Sequence, residues 1–199
     1  MLSPLPQPEP TPPQLVDETE ADAALVAAVL RKDRKATAEF VGRYADSIYG
    51  YIRSRLIPRY DQVDDVVQEV FLSAWESLPR YQATGRLQAW IMGIARHKVE
   101  DYYRARLRAP EVFVEDTEER ASSDDAVRMQ ETLEQEELQT QTRQVLATMP
   151  ERYRLVLLWR YWEKASAREM AQKTGKTEKA VERLLARARA EFRERWNRG

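Results

Sequence analysis

Cysteine is absent from the 199 residues. That excludes disulfides, thiolate zinc sites and cysteine nucleophiles. The single histidine leaves any metal site dependent on carboxylates, and no metal is expected. Glycine is scarce at six residues, which leaves few hairpin turns, and neither strand-type alternation nor a repeat of fixed period is present. No run approaches the roughly 18 uncharged apolar residues needed to cross a bilayer, and the N-terminus lacks the basic-then-apolar layout of a secretory signal. A soluble, cytoplasmic protein without membrane insertion is expected. A Gly-rich phosphate loop and a nucleophile triad pattern are also missing, so neither an enzyme nor a bound cofactor is expected.

What is present is helical periodicity on a chain that is 43% hydrophobic, enough to fill one ordinary core or two small ones. The expected fold is all-α, with two small helical domains. Residues 1–21 contain Pro4, Pro6, Pro8, Pro10, Pro12 and Pro13, several acids and no Lys or Arg, the composition of a disordered or polyproline II tail. Residues 22–108 form the first expected domain and residues 137–199 the second. Between them, 109–136 reads as a flexible acidic linker: Glu111, Glu115, Asp116, Glu118, Glu119, Asp124 and Asp125 face only Arg120 and Arg128. The net charge of −1 therefore conceals segregation, with the cations on either side of the linker.

In the first domain, Leu25, Val26, Val29 and Leu30 give a first amphipathic helix, and Phe40, Val41, Tyr44, Ile48, Tyr51 and Ile52 a second that Pro58 ends. A further helix is expected from an Asp61 N-cap, with Asp64 in its first turn and Val63, Val66, Val67, Val70, Phe71 and Ala74 as its core face. Phe71 and Trp75 are both expected in the core. After the loop 81–86 comes WIMGIARHKVEDYYRAR, Trp90 to Arg106. At 100° per residue Ile91, Ile94, Ala95, Val99 and Tyr102 fall on one side and Gly93, Arg96, Glu100 and Arg104 on the other. Such a helix anchors in a core and presents cations. His97 and Asp101 are one turn apart, but two ligands without a third do not make a metal site. Asp101 is expected to pair with His97 or Arg104.

In the second domain Tyr153, Val156, Leu157, Trp159 and Tyr161 mark a short buried helix after Met149-Pro150. Ser166-Ala167-Arg168-Glu169 has the capping-box form. Gly175 stands where a left-handed terminating residue is needed, and Thr177 can cap the next helix. This is a helix-turn-helix layout. Val181, Leu184, Leu185, Ala188 and Phe192 form the inward stripe of the last helix, with Lys179, Glu182, Arg183, Ala186 and Arg187 outward. From spacing alone those cations serve equally as a solvated face. Composition favours phosphate binding, since Lys164–Gly199 carries eleven Lys or Arg against five Glu.

Three motifs in order resemble the sigma-70 family of bacterial transcription initiation factors, specifically its extracytoplasmic-function (ECF) group. Asp64-Asp65-Val66-Val67-Gln68-Glu69-Val70-Phe71 with Ala74-Trp75 resembles region 2.2, and WIMGIARHKVEDYYR resembles regions 2.3 and 2.4. Leu146 to Phe192, including Glu169-Met170-Ala171, Gly175 and Arg187-Ala188-Arg189, resembles region 4. The resemblance implies a non-enzymatic subunit that binds core RNA polymerase, recognises and melts promoter DNA, and is held in check by an anti-sigma factor. It implies core-polymerase binding by Asp65, Gln68, Glu69, Leu72 and Glu76. It places Tyr81, Gln82, Thr84, Arg86, Arg96, His97, Glu100 and Arg104 against the minus-ten element, where flipped bases are captured and phosphates neutralised. Lys176, Thr177, Lys179, Glu182, Arg183 and Arg187 would engage the minus-thirty-five element. His97 departs from the asparagine usual after the Ile-Ala-Arg triplet. Two other functions fit part of the pattern: a helix-turn-helix regulator that never joins polymerase, and a sigma mimic that sequesters an anti-sigma factor. The first leaves residues 61–106 unexplained, and the second usually carries a receiver domain and a degraded region 4.

Overall fold

The computed structural model describes residues 13–82, 85–108 and 133–198, with side chains from 19 in the first stretch and from 137 in the third. Residues 1–12 of the proline tail, Thr84 and residues 109–132 of the acidic linker lie outside the described residues. Eight α-helices are described: α1 Pro13–Leu30, α2 Arg34–Arg55, α3 Val63–Ser77, α4 Leu87–Arg108, α5 Leu133–Ala147, α6 Glu151–Tyr161, α7 Ala167–Thr174 and α8 Glu178–Trp196. There is no strand among the described residues.

Two boundaries differ from expectation. Helix α1 begins at Pro13, so residues 13–21 are helical rather than part of an extended tail. Proline is well placed at the first helical position, because its missing N–H would have no intrahelical partner there and its φ is already helical. Helix α5 likewise begins at Leu133, inside the segment assigned to the linker. A third correction concerns Asp61. Helix α3 starts two residues later, at Val63, with no side-chain cap. Asp61 instead accepts from Arg59 Nε at 3.1 Å and from its terminal nitrogen at 3.0 Å, and this guanidinium holds its carboxyl below the usual range.

Helices α1–α4 pack around Phe40, Ile48, Ile52, Val63, Val70, Ala74, Leu87, Ile91, Ala95 and Val99, each fully buried. Asp22 of α1 is buried among them. Its carboxylate accepts from the Leu87 N–H at 2.8 Å and from Tyr44 Oη at 3.4 Å, so a side chain 65 residues away satisfies a donor at the start of α4. Helices α5–α8 pack around Leu146, Met149, Leu155, Leu158, Met170, Val181, Leu185 and Ala188.

The helix-turn-helix of α7 and α8 forms as its local sequence dictates. Ser166 Oγ accepts from the Glu169 N–H at 3.2 Å, while the Glu169 carboxylate accepts from the Ser166 N–H at 2.7 Å. Gly175 closes α7 at φ 72°, a conformation that penalises any residue with a Cβ. Thr177 Oγ then accepts from the Ala180 N–H to start α8.

The two units share one continuous core. Tyr103 of α4 and Trp159 of α6, both fully buried, meet with ring centroids 6.0 Å apart. Tyr103 explains a further correction: it is buried and Tyr102 only half-buried, because α4 is covered on two sides and a helical wheel drawn for one apolar face stops short. Tyr161, expected in the core, is 46% exposed at the C-terminal end of α6. The indole N–H of Trp159 is buried with no hydrogen-bond partner among the described residues.

Candidate nucleic-acid interface

Helix α3 turns Val63, Val66, Val70, Phe71 and Ala74 inward. Its other side carries Asp65, Gln68, Glu69, Leu72 and Glu76, all exposed and spaced as successive turns of one face. Leu72 is 51% exposed and Trp75 37% exposed. Trp75 thus belongs to this surface and not to the core, although its ring still lies 6.0 Å from that of Phe71. The spacing signals this: Trp75 stands three residues after Leu72 and seven after Gln68, hence on their face. Glu69 lies 3.5 Å from Lys98 across a solvent-exposed gap, a pairing of small energetic weight.

The loop after α3 is pinned at its base. Tyr81 Oη donates to the Gly85 carbonyl at 2.6 Å, and the Tyr81 ring packs 5.2 Å from that of Trp90. Burial raises the Tyr81 hydroxyl above its ordinary value, which keeps it a donor. Gln82 and Arg86 are exposed beside this aromatic pair. Together they offer the two things an extruded base requires, a stacking surface and polar edges.

Along α4, the expected minus-ten residues divide into two groups. His97 is exposed, and Arg104 is half-buried and paired with Asp101, as spacing suggested. Arg96 and Glu100, one turn apart, face the second unit. Arg96 Nε lies 3.6 Å from a carboxylate oxygen of Glu163, in the turn between α6 and α7, and Glu100 accepts from Lys173 of α7. Two α2 residues that sequence reasoning missed complete this contact. Tyr51 Oη and Arg55 Nε each donate to Glu163 at 2.8 Å. The Tyr51 hydroxyl is raised well above its ordinary value, first by burial and then by the bond to Glu163. No local pattern could have found Glu163, whose partners lie 108 and 112 residues away. Further along, Arg106 donates to Glu151 at 2.8 Å and to Gln62 at 2.7 Å, and Arg108 donates to the Lys173 carbonyl in the last turn of α7.

On α8 the buried stripe is Val181, Leu185 and Ala188, with Leu184 and Phe192 half-buried. Lys179, Glu182, Arg183 and Arg187 stand exposed on the opposite side, and Lys176 and Thr177 lie at its N-terminus. This is the geometry in which a second helix lays the outward side chains of its first turns against base edges and phosphates. Among the described residues no three His, Asp or Glu side chains gather as a metal site, and no helix is long and apolar enough to cross a membrane.

Residues 40–109 match the family described as Sigma-70 region 2, and residues 139–192 match that described as Sigma-70, region 4. The ECF RNA polymerase sigma factor ShbA of Streptomyces griseus is 33% identical over 184 residues, which span 87% of this chain and 96% of ShbA. The ECF RNA polymerase sigma factor SigD of Mycobacterium tuberculosis is 34% identical over 173 residues, spanning 85% of this chain and 81% of SigD. CnrH, solved in complex with the cytosolic domain of CnrY, is 26% identical with a TM-score of 0.41, covering 87% of this chain and 96% of CnrH. Two region matches in order and full-length relatives of this identity make the chain a member of the ECF sigma factors of the sigma-70 family.

Proposed function

We propose that this chain works as a non-enzymatic subunit in which three groups of residues have separate tasks. The face of α3, with Asp65, Gln68, Glu69, Leu72 and Glu76, docks core RNA polymerase. Tyr81, Gln82, Thr84, Arg86, Arg96, His97, Glu100 and Arg104 serve the minus-ten element, and Lys176, Thr177, Lys179, Glu182, Arg183 and Arg187 the minus-thirty-five element. The observation that carries this assignment is the exposure of Leu72 and Trp75 within a row of acids on α3. An exposed leucine and tryptophan side by side need a partner more than single exposed apolar residues do, and a plain helix-turn-helix regulator has no use for them. The chemistry then belongs to the polymerase, and the place of action is the cytoplasm.

Reconstituted transcription with core polymerase and a promoter library tests the whole assignment. A promoter-specific product is expected, and its absence would sink it. Within that assay Arg183→Ala and Arg187→Ala separate two kinds of contact. Loss of a phosphate contact lowers affinity across all sequences and reduces the salt slope by about one unit, whereas loss of a bidentate base contact costs about 1–3 kcal/mol and relaxes the sequence preference. If both variants keep wild-type binding and slope, α8 is not the reading helix.

Many ECF factors are held inactive by an anti-sigma partner, and the proposal includes that control here. Co-purification of such a partner is its expected sign. Constitutive activity of the chain in cells would count against it.

A further inference from the structure

Glu163 is the most completely enclosed acid at the junction of the two units, with a side chain only 3% exposed. It reaches out of the turn between α6 and α7 into a cluster of donors that belongs entirely to α2 and α4. Tyr51 and Arg55 bond it at 2.8 Å, and Arg96 lies 3.6 Å away with its own side chain 65% exposed. The Arg55 guanidinium also sits 4.4 Å over the Tyr51 ring and donates to Ser54 Oγ at 2.6 Å. These contacts hold it in place before any anion arrives.

Burying such a pair adds little net stability, because desolvating both ions offsets most of their attraction. A guanidinium fork with an adjacent hydroxyl is, however, well matched to an anion presenting two oxygens, and a phosphodiester offers the same oxygens as a carboxylate. We propose that Tyr51, Arg55 and Arg96 form a binding site for a backbone phosphate of promoter DNA, and that the Glu163 carboxylate fills this site while the two units are closed on each other. Region 4 and DNA then compete for one set of cations on region 2. The proposal rests on the assignment of α4 as a DNA-facing helix.

Opening exposes the Tyr103–Trp159 contact of the shared core, while two further ion pairs across the junction exchange readily with water. Lys173 bonds Glu100, a second residue of the same α4 face, and Arg106 bonds Glu151. Both pairs are partly exposed, so water can replace them on opening. DNA that neutralises Arg55 and Arg96 removes the charge that holds Glu163, and a chain largely closed at rest shows an affinity reduced by the fraction that is open.

The test uses the full chain and a promoter duplex chosen by the reconstituted holoenzyme. Glu163→Gln removes the stand-in anion with little change of shape and is expected to raise the affinity of the free chain for that duplex about tenfold. Adding Arg55→Gln to Glu163→Gln should reverse much of the gain and lower the salt slope by about one unit. Lys173→Gln provides a second route to opening. It removes a positive charge yet is expected to strengthen DNA binding. Inorganic phosphate at matched ionic strength should leave binding unchanged. Thermal melts establish that each variant is folded. Unchanged affinity in folded Glu163→Gln would overturn the competition. A double variant equal to Glu163→Gln would overturn the phosphate site, and opening by inorganic phosphate alone would overturn its assignment to DNA. Failure of the wild-type holoenzyme to make any promoter-specific product is a separate result, and it removes the assignment of α4 itself.

Discussion

Leu72→Glu is expected to weaken binding to core RNA polymerase by at least about thirtyfold, and Trp75→Ala by a similar factor. Leu72 and Trp75 are the large apolar groups that α3 leaves in water, and they lie among acids on a rigid helix. Residues of this kind become the desolvated centre of an interface, where truncation commonly costs about 2 kcal/mol or more, equivalent to about thirtyfold in affinity. The surrounding acids contribute mainly to the rate and specificity of encounter. Since Leu72 is half exposed, its replacement should change the stability of the free chain by no more than about 0.5 kcal/mol. Surface-bound core polymerase titrated with wild-type and variant chains gives the answer. Wild-type affinity in both variants would remove this face from the docking surface.

The second large effect concerns the fold that positions the minus-ten residues. Asp22→Ala should destabilise the chain by about 2–3 kcal/mol. It leaves the Leu87 N–H buried without an acceptor and removes a negative charge from the positive end of α4. Arg43, 3.6 Å from the carboxylate, loses a partner as well. For a domain of this size the change corresponds to a fall of about 4–12 °C in Tm. Asp22→Asn keeps an acceptor for Leu87 and should show a clearly smaller loss, of about 1 kcal/mol. Urea unfolding of the two variants distinguishes them, and equal stability of Asp22→Ala and wild type would show that α4 starts without this cap.

Features set by neighbours in sequence are the ones that sequence reasoning recovers. The Ser166–Glu169 capping box, the left-handed Gly175 and the Thr177 cap each depend on three or four consecutive residues, and all three are present. The inward face of α3 and the order of the two units follow equally from periodicity. Asp22 has the opposite character. Composition identifies it only as an acid near the start of a helix, because its function as a cap is defined by a backbone amide 65 residues away. Glu163 is similar, a single acid whose meaning comes from α2 and α4. Trp75 was misplaced for a different reason: hydrophobicity says that a residue prefers burial, without saying whether its own chain or a partner provides it. The extent of α1 was missed because a run of prolines argues against helix, yet the last of them, Pro13, can open one.

The indole N–H of Trp159, buried with no hydrogen-bond partner among the described residues, has an optical consequence. Its excited state is shielded from bulk solvent beside Tyr103, an environment that favours emission at short wavelength. Water admitted by separation of the two units would bond that N–H and relax the excited state, moving the emission to the red. Among the described tryptophans it alone is fully buried, whereas Trp75, Trp90, Trp162 and Trp196 already meet solvent in part. The junction therefore contains an intrinsic fluorophore at its centre, and its colour reports whether the units are together or apart.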